Sequence, residues 1–220
     1  MEYSEDHAFM VLGAGERADL IVEPAGAPGE THILRSMLHN RGYGSIEYRD
    51  VEDLIEIQFA DLPPYEGPAL PETRREIEPY DVTGATEIDL EITLSQDEGS
   101  RSIEYGFNHM PFWEATPILA SAGETQVWTV TNSTDWSHPL HLHGFFFMVL
   151  DETGAPVRPL EWKDTVDIPL REQVKLAVRF DDRSGTWIFH CHVLDHAEGG
   201  LLSAVHLDLP IEECENMLEH

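Results

Sequence analysis

Residues 186–192 read Thr-Trp-Ile-Phe-His-Cys-His, a β-branched and aromatic run that ends in a cysteine flanked by two histidines. Runs of this composition favour strands, and successive side chains of a strand point to opposite faces. Cys191 therefore projects one way while His190 and His192 project the other, so one strand must serve two sites. A second run, His-Pro-Leu-His-Leu-His-Gly at 138–144, divides in the same manner. His141 and His143 share a face, whereas His138, three residues before His141, is expected on the opposite one. His196 lies five residues beyond Cys191, and the Gly199–Gly200 pair permits the loop to curl back. The side chains thus sort into two groups. One is His138, Cys191 and His196; the other is His141, His143, His190 and His192.

A fold that places strands of this kind back to back must be rich in short strands, and the rest of the chain is. "FMVL", "ADLIVE", "THILRSML" and "LIEIQFA" occupy residues 9 to 60, and "EIDLEITL", "TQVWTVTN", "FFFMVLD", "VKLAVRF", "TWIFHCH" and "LLSAVHLDL" occupy 87 to 209. Their regular spacing and composition predict an all-β sandwich, with no helical period of comparable length. Residues 60–84 hold five prolines, which excludes a central strand and predicts a linker over 61–85. The expected organisation is part of one domain over 1–60, the linker, a complete domain over 86–210, and a tail over 211–220. The front block has too few strands for a sandwich of its own, so it reads as the end of a domain that begins outside this sequence. The closing "LEH" resembles the start of a vector-encoded histidine tag.

Charge narrows the partners. The 42 acidic residues outnumber 13 basic ones for a formal net charge of -29, which argues against nucleic acid and for an acidic, solvated surface that repels its own copies. No apolar run is long enough to cross a membrane as a helix, and the N-terminus lacks the basic and apolar regions of a signal peptide. Cys191 sits among histidines and Cys214 lies near the tail, so no disulfide framework can be read; Cys214 is open to a bridge with another domain or to a free thiol. His7, His32, His39, His109 and His206 stand outside any metal-ligand spacing and read as surface or hydrogen-bonded histidines.

Two imidazoles and one thiolate form the trigonal donor set of a blue-copper site, and four neutral imidazoles on the far side also suit copper. Zinc takes cysteine and histidine too, but its usual spacings leave two oppositely facing groups unexplained.

"HPLHLHG" and "HCHVLDHAEGGLL" resemble the C-terminal copper motifs of the multicopper oxidases, of which laccases are the best-known members. The resemblance spans nearly the whole chain: "LGAGERADLIVE" at 12–23 is similar to the closing strands of the family's middle cupredoxin domain, and 86–210 to its complete last domain. The fold it implies is a cupredoxin-like Greek-key β-sandwich. Carried over, the family pattern makes His138, Cys191 and His196 ligands of a type 1 copper, with non-coordinating Leu201 in the axial position. It makes His141 a type 2 ligand, and His143, His190 and His192 type 3 ligands. The activity implied is one-electron oxidation of a small phenol or aromatic amine near an exposed His196, with electrons passing through Cys191 into His190 or His192. Dioxygen would then be reduced to water at a trinuclear cluster. That cluster takes eight histidines in the family, of which this chain supplies four, so the N-terminal cupredoxin domains of the same protein are expected to complete it. Carboxylates are expected behind the imidazoles, with Asp135, Asp195 and Glu198 as candidates; "WKDTVDIP" at 162–169 resembles a strand and turn near the copper-domain core, with no catalytic role assigned. The family resemblance also implies a periplasmic or secreted location. Competing readings are a cuprous or ferrous ion oxidase, a copper nitrite reductase, and a non-enzymatic blue-copper electron carrier.

Overall fold

The structure is a computed structural model and describes residues 7–21, 26–42, 51–63, 67–69, 71–96 and 103–208. Ten strands between Thr86 and Leu207 build two five-stranded sheets. In chain order these are β3 (Thr86–Ser95), β4 (Glu104–Phe107), β5 (Ile118–Ala120), β6 (Thr125–Asn132), β7 (His138–Leu142), β8 (Phe147–Leu150), β9 (Thr165–Ile168), β10 (Gln173–Arg179), β11 (Gly185–Cys191) and β12 (Leu202–Leu207). One sheet runs β4-β3-β6-β10-β8 and the other β5-β12-β11-β7-β9. Two earlier strands, β1 (Thr31–Ser36) and β2 (Glu52–Gln58), pair antiparallel with each other. The expected β-sandwich is what the chain forms.

Alternation explains the packing. Along β6 every second side chain is buried, so Gln126, Trp128, Val130 and Asn132 face inward while the threonines between them do not. Trp128 meets Phe189 of β11 at 5.0 Å between ring centroids, and Phe107 meets the same ring at 5.0 Å, which ties β4, β6 and β11 into one core. Each such ring contributes about 2 kcal/mol by leaving water. The Trp128 indole N–H still finds a partner, donating to Gln126 Oε1 at 2.9 Å.

Several expectations are corrected. Residues 9–12 and 18–21 carry no strand, despite the apolar character of "FMVL" and "ADLIVE"; residues 22 and 23 lie outside the described residues. Strands β4 and β5 have four and three residues, too few for composition to declare. One short helix, α1 (Leu194–Glu198), replaces the expected loop after Cys191, a single turn that leaves no periodicity to read. In the proline-rich stretch, Ile77 is buried in a small cluster with Met148 and Leu160, against which Tyr80 packs. Cys214 and the tail over 211–220 lie outside the described residues. Among the described residues no helix is long and apolar enough to cross a membrane.

Candidate metal centres

Strand register decides which histidines meet. β7 and β11 run antiparallel with His190 opposite His141 and Cys191 opposite Leu140. Directly opposed residues share a face, so His190 joins His141. His138, two residues before Leu140, shares the face of Cys191. α1 then returns His196 to that face, and its start is secured where the His196 and Ala197 amides donate to the Val193 carbonyl.

The first cluster is a buried triangle. Cys191 Sγ lies 3.6 Å from His138 Nδ1 and 3.5 Å from His196 Nδ1, and the two nitrogens are 2.9 Å apart. His138, Cys191 and His196 are all buried. The expectation of an exposed His196 is therefore corrected: its imidazole retains 2% of its accessibility, because Tyr105 stacks on it with 4.4 Å between centroids.

A hydrogen-bond chain selects the tautomer of His138. The Thr134 hydroxyl donates to Asn132 Oδ1 at 2.8 Å, so its oxygen accepts from His138 Nε2–H at 2.7 Å. That leaves the Nδ1 lone pair aimed at Cys191. Burial, followed by His196 and the Arg41 guanidinium, pushes His138 down to about 3. Burial and Arg41 push His196 down to about 4, with Asp195 opposing. Arg41 is anchored beside the triangle, donating from Nε to Ser137 Oγ at 3.2 Å while its carbonyl accepts from the Ser137 amide at 3.0 Å. Burial pushes the Cys191 thiol up to about 12, against a smaller opposing contribution from the Val193 N–H. Two buried imidazoles held neutral, around a thiol that needs a cation to ionise, fit a thiophilic metal.

These shifts have a sign that experiment can read. Imidazoles held below their ordinary 6.5 are neutral when folded and take up protons on unfolding. Their support is complete above pH 6.5 and is lost as pH falls towards about 4 and about 3. The metal-free protein is expected to lose up to about 1.4 kcal/mol per pH unit for each of the two histidines within that window. Denaturant midpoints at pH 7 and pH 5 check it, and equal midpoints would contradict neutral burial of the pair.

The second cluster lies on the other face. Donor atoms of His141, His143 and His190 lie within 4.8 Å of one another, and His143 Nε2 is 3.0 Å from His190 Nε2. His141 Nδ1–H donates to the Asp164 carbonyl and to Thr165 Oγ1, each at 2.9 Å. His190 Nδ1–H donates to the Cys191 carbonyl at 2.8 Å. Both rings thereby present an unprotonated Nε2. His192 stands beside this group rather than in it, exposed, with its ring centroid 5.5 Å from His141 and 5.7 Å from His190. Gly15, with φ +85°, packs against His192; a Cβ there would sit 2.6 Å from His192 Cδ2, so the "GAGER" segment needs glycine to pass.

The groups behind the imidazoles differ from those expected. Asp135 is exposed and engaged by Arg171 at 2.8 Å, and Asp195 and Glu198 are exposed on α1. The orienting groups are instead a hydroxyl on Thr134, a hydroxyl on Thr165 and two backbone carbonyls. Asp164 supports this arrangement from "WKDTVDIP": its carboxylate accepts from Thr165 at 2.9 Å and is gripped by both Arg17 nitrogens at 2.5 and 2.8 Å. No sequence spacing marks these partners, since each is either a backbone carbonyl or a hydroxyl on an ordinary threonine aimed by the fold. Among the described residues, His7, His32, His39, His109 and His206 belong to neither cluster. His206 is buried in β12 rather than on the surface, and His109 pairs with Glu91 at 3.6 Å.

A family model described as multicopper oxidase matches residues 82–208. The chain is 27% identical over 217 residues to a laccase of Haloferax volcanii, covering 94% of this chain and 36% of that relative. It is 36% identical over 105 residues to copper resistance protein A of Escherichia coli, covering 47% of this chain and 16% of the relative. A multicopper oxidase from Aquifex aeolicus has a similar structure, with a TM-score of 0.70 at 22% identity over 84% of this chain and 42% of that one. At that identity the likeness is one of fold, and it makes the sandwich a cupredoxin fold. The chain thus spans less than half the length of each of these relatives.

Proposed function

The chain belongs to the multicopper oxidase family, and from that membership we propose a laccase-like activity, oxidation of small phenols or aromatic amines with dioxygen as the acceptor. Copper is the metal this family membership implies. The observation that carries the reading is the adjacency of the two clusters on one strand: Cys191 belongs to the first, His190 to the second, and His190 Nδ1–H donates to the carbonyl of Cys191 itself at 2.8 Å. A single peptide unit therefore links the two.

Copper held here would accept electrons one at a time at the first cluster and, at a multinuclear site, pass four of them to dioxygen, which with four protons from solvent would give two waters. The residues have separable tasks. His138, Cys191 and His196 hold the proposed type 1 metal, with Thr134 fixing the imidazole of His138 and Arg41 favouring the thiolate. His141 is the proposed type 2 ligand, and His143, His190 and His192 are the proposed type 3 ligands. These four histidines are half of the eight that the family's cluster uses, so the remaining four are proposed to come from N-terminal cupredoxin domains of the same protein. A periplasmic or secreted location is proposed on the family resemblance alone.

Leu201 is fully buried beside the first cluster, its N–H donating to the His196 carbonyl at 2.9 Å and its carbonyl accepting from the Cys191 N–H at 3.0 Å. An alkyl group there offers the metal no donor. Leu201→Met supplies a thioether that stabilises the oxidised metal, so the reduction potential is expected to fall, on the order of 59 mV or one tenfold step in a one-electron equilibrium. Redox titration of the blue band reads the change, and an unchanged or raised potential would contradict the proposed place of Leu201 beside the metal.

A second reading, oxidation of cuprous or ferrous ions, is favoured by the similarity to copper resistance protein A. Turnover of the copper-loaded full-length protein on a phenol and on each ion separates them. Faster oxidation of the phenol supports the laccase-like reading, and oxidation of the ions alone overturns it.

A further inference from the structure

The second cluster is supported from outside the sandwich as well as from within it. The turn Gly13-Ala-Gly-Glu-Arg17 belongs to the front segment, and it lies against Pro139 of β7, the ring of His192 and the Lys163–Asp164 pair that precedes β9. Glu16 closes the turn on itself: its N–H donates to the Gly13 carbonyl at 3.0 Å, and its Oε2 accepts from the Gly13 N–H at 2.8 Å. Its Oε1 meets Lys163 Nζ at 3.0 Å. Arg17, the next residue, meets Asp164, the next partner, through two bonds of 2.5 and 2.8 Å. A glutamate–arginine pair thus faces a lysine–aspartate pair with each charge opposite its complement, and Lys163 is one of only two lysines in the chain.

Asp164 is where this contact reaches a ligand. Its carbonyl accepts from two donors of β7, the Leu142 N–H and the His141 Nδ1–H, each at 2.9 Å. Its Oδ1 accepts from the Thr165 hydroxyl at 2.9 Å, and the oxygen of that hydroxyl accepts from the same His141 Nδ1–H. Both partners of the His141 ring therefore belong to Asp164 or are held by it. A bidentate guanidinium–carboxylate pair fixes the plane of the carboxylate as well as its position, which a point charge does not. Arg17 sets the carboxylate, the carboxylate sets the Thr165 hydroxyl, and hydroxyl and carbonyl together aim the imidazole.

We propose that Arg17 is a positioning residue for the second cluster, fixing His141 through Asp164 and Thr165, so that the turn at 13–17 sets the geometry of the proposed type 2 metal from outside the copper-binding domain. The proposal rests on the assignment of His141 above. The first cluster lies beyond this route, because Cys191 faces away from His190 and His141 on the β7–β11 pair. The Arg17 side chain keeps 66% of its accessibility, and an ion pair made by so exposed a group adds little to global stability. Its removal should move the metal site without unfolding the sandwich.

The test is Arg17→Met in the copper-loaded full-length protein. Electron paramagnetic resonance resolves a type 2 copper from a blue one, and copper counting after equilibration with a graded chelator series measures how tightly each is held. Arg17→Met is expected to weaken retention of the type 2 copper about 10- to 100-fold, the usual cost of losing a support of a metal ligand, and to alter its hyperfine splitting. The blue band and the denaturant midpoint should stay close to those of the wild type. Arg17→Met added to Asp164→Asn is expected to cost little beyond Asp164→Asn alone, because both act along one route. An unaltered type 2 signal and copper content in Arg17→Met would overturn the proposal. So would additive losses in the double variant, and so would a parallel loss of the blue band, which would make Arg17 a general support of the fold. A wild-type protein with no type 2 signal would instead overturn the assignment of His141 beneath it, and that failure is visible before any variant is made.

Discussion

Cys191→Ser is expected to abolish both the blue colour and the oxidation of reductants, while the sandwich remains folded. Three features of the site make this the largest single-residue effect. Among the described residues Cys191 is the one sulfur in the first cluster, so none of them can restore a thiolate bond to the metal. It is also the residue whose carbonyl accepts from His190, so the covalent path between clusters runs through its own atoms. Finally, a serine hydroxyl is a poor copper ligand with no accessible anionic form in a buried site. The cost in stability is modest by comparison: a buried hydroxyl in place of a thiol costs about 1–3 kcal/mol, and the Val193 N–H that now approaches the sulfur offers it a partner. Visible absorption and circular dichroism of the variant read the two effects separately. A retained thiolate-to-copper band would mean that another cysteine supplies the ligand, and Cys214 is the other cysteine in the chain.

His190→Ala is expected to separate the two halves of the reaction. Its imidazole belongs to the second cluster and faces His141 across the β7–β11 pair, while its neighbour Cys191 faces the first. Removing it should leave a blue copper that substrates still bleach, because His138, Cys191 and His196 are untouched. Re-oxidation by dioxygen should be lost, since the second cluster loses a ligand and the hydrogen bond into the Cys191 carbonyl disappears. Double-mixing stopped flow, with reductant first and dioxygen second, measures each step. Re-oxidation at the wild-type rate would remove His190 from the proposed trinuclear cluster.

The division of these histidines and Cys191 between two faces was legible in the sequence because strand geometry is so regular. Side chains alternate with period two, and that alone separates Cys191 from His190 and His138 from His141. The supports were not legible, for reasons that differ by residue. Thr134 and Thr165 are ordinary residues whose roles depend on a hydroxyl meeting a ring nitrogen, a contact that spacing cannot encode. Arg41 and Arg17 come from the front segment, and Asp164 from a strand and turn to which no role attached; each is placed by tertiary packing. Tyr105 lies on a four-residue strand, too short to predict, and its stacking on His196 reversed the expected exposure of that ligand. Asp135, Asp195 and Glu198 failed as supports because proximity in sequence does not aim a side chain. Asp135 turns instead to Arg171.

The central claim is that this stretch of chain holds one whole type 1 site and half of a trinuclear cluster. Its most direct measurement is copper counting on the 220-residue polypeptide, by mass spectrometry of the metal-loaded protein alongside its blue absorption and an oxygen electrode. One tightly held copper with the blue band and no oxygen-coupled turnover is expected, with oxygen consumption appearing only when a partner supplies the missing histidines. Full copper occupancy of a trinuclear cluster together with dioxygen reduction by this polypeptide alone would contradict the ligand count and the division of the cluster between segments.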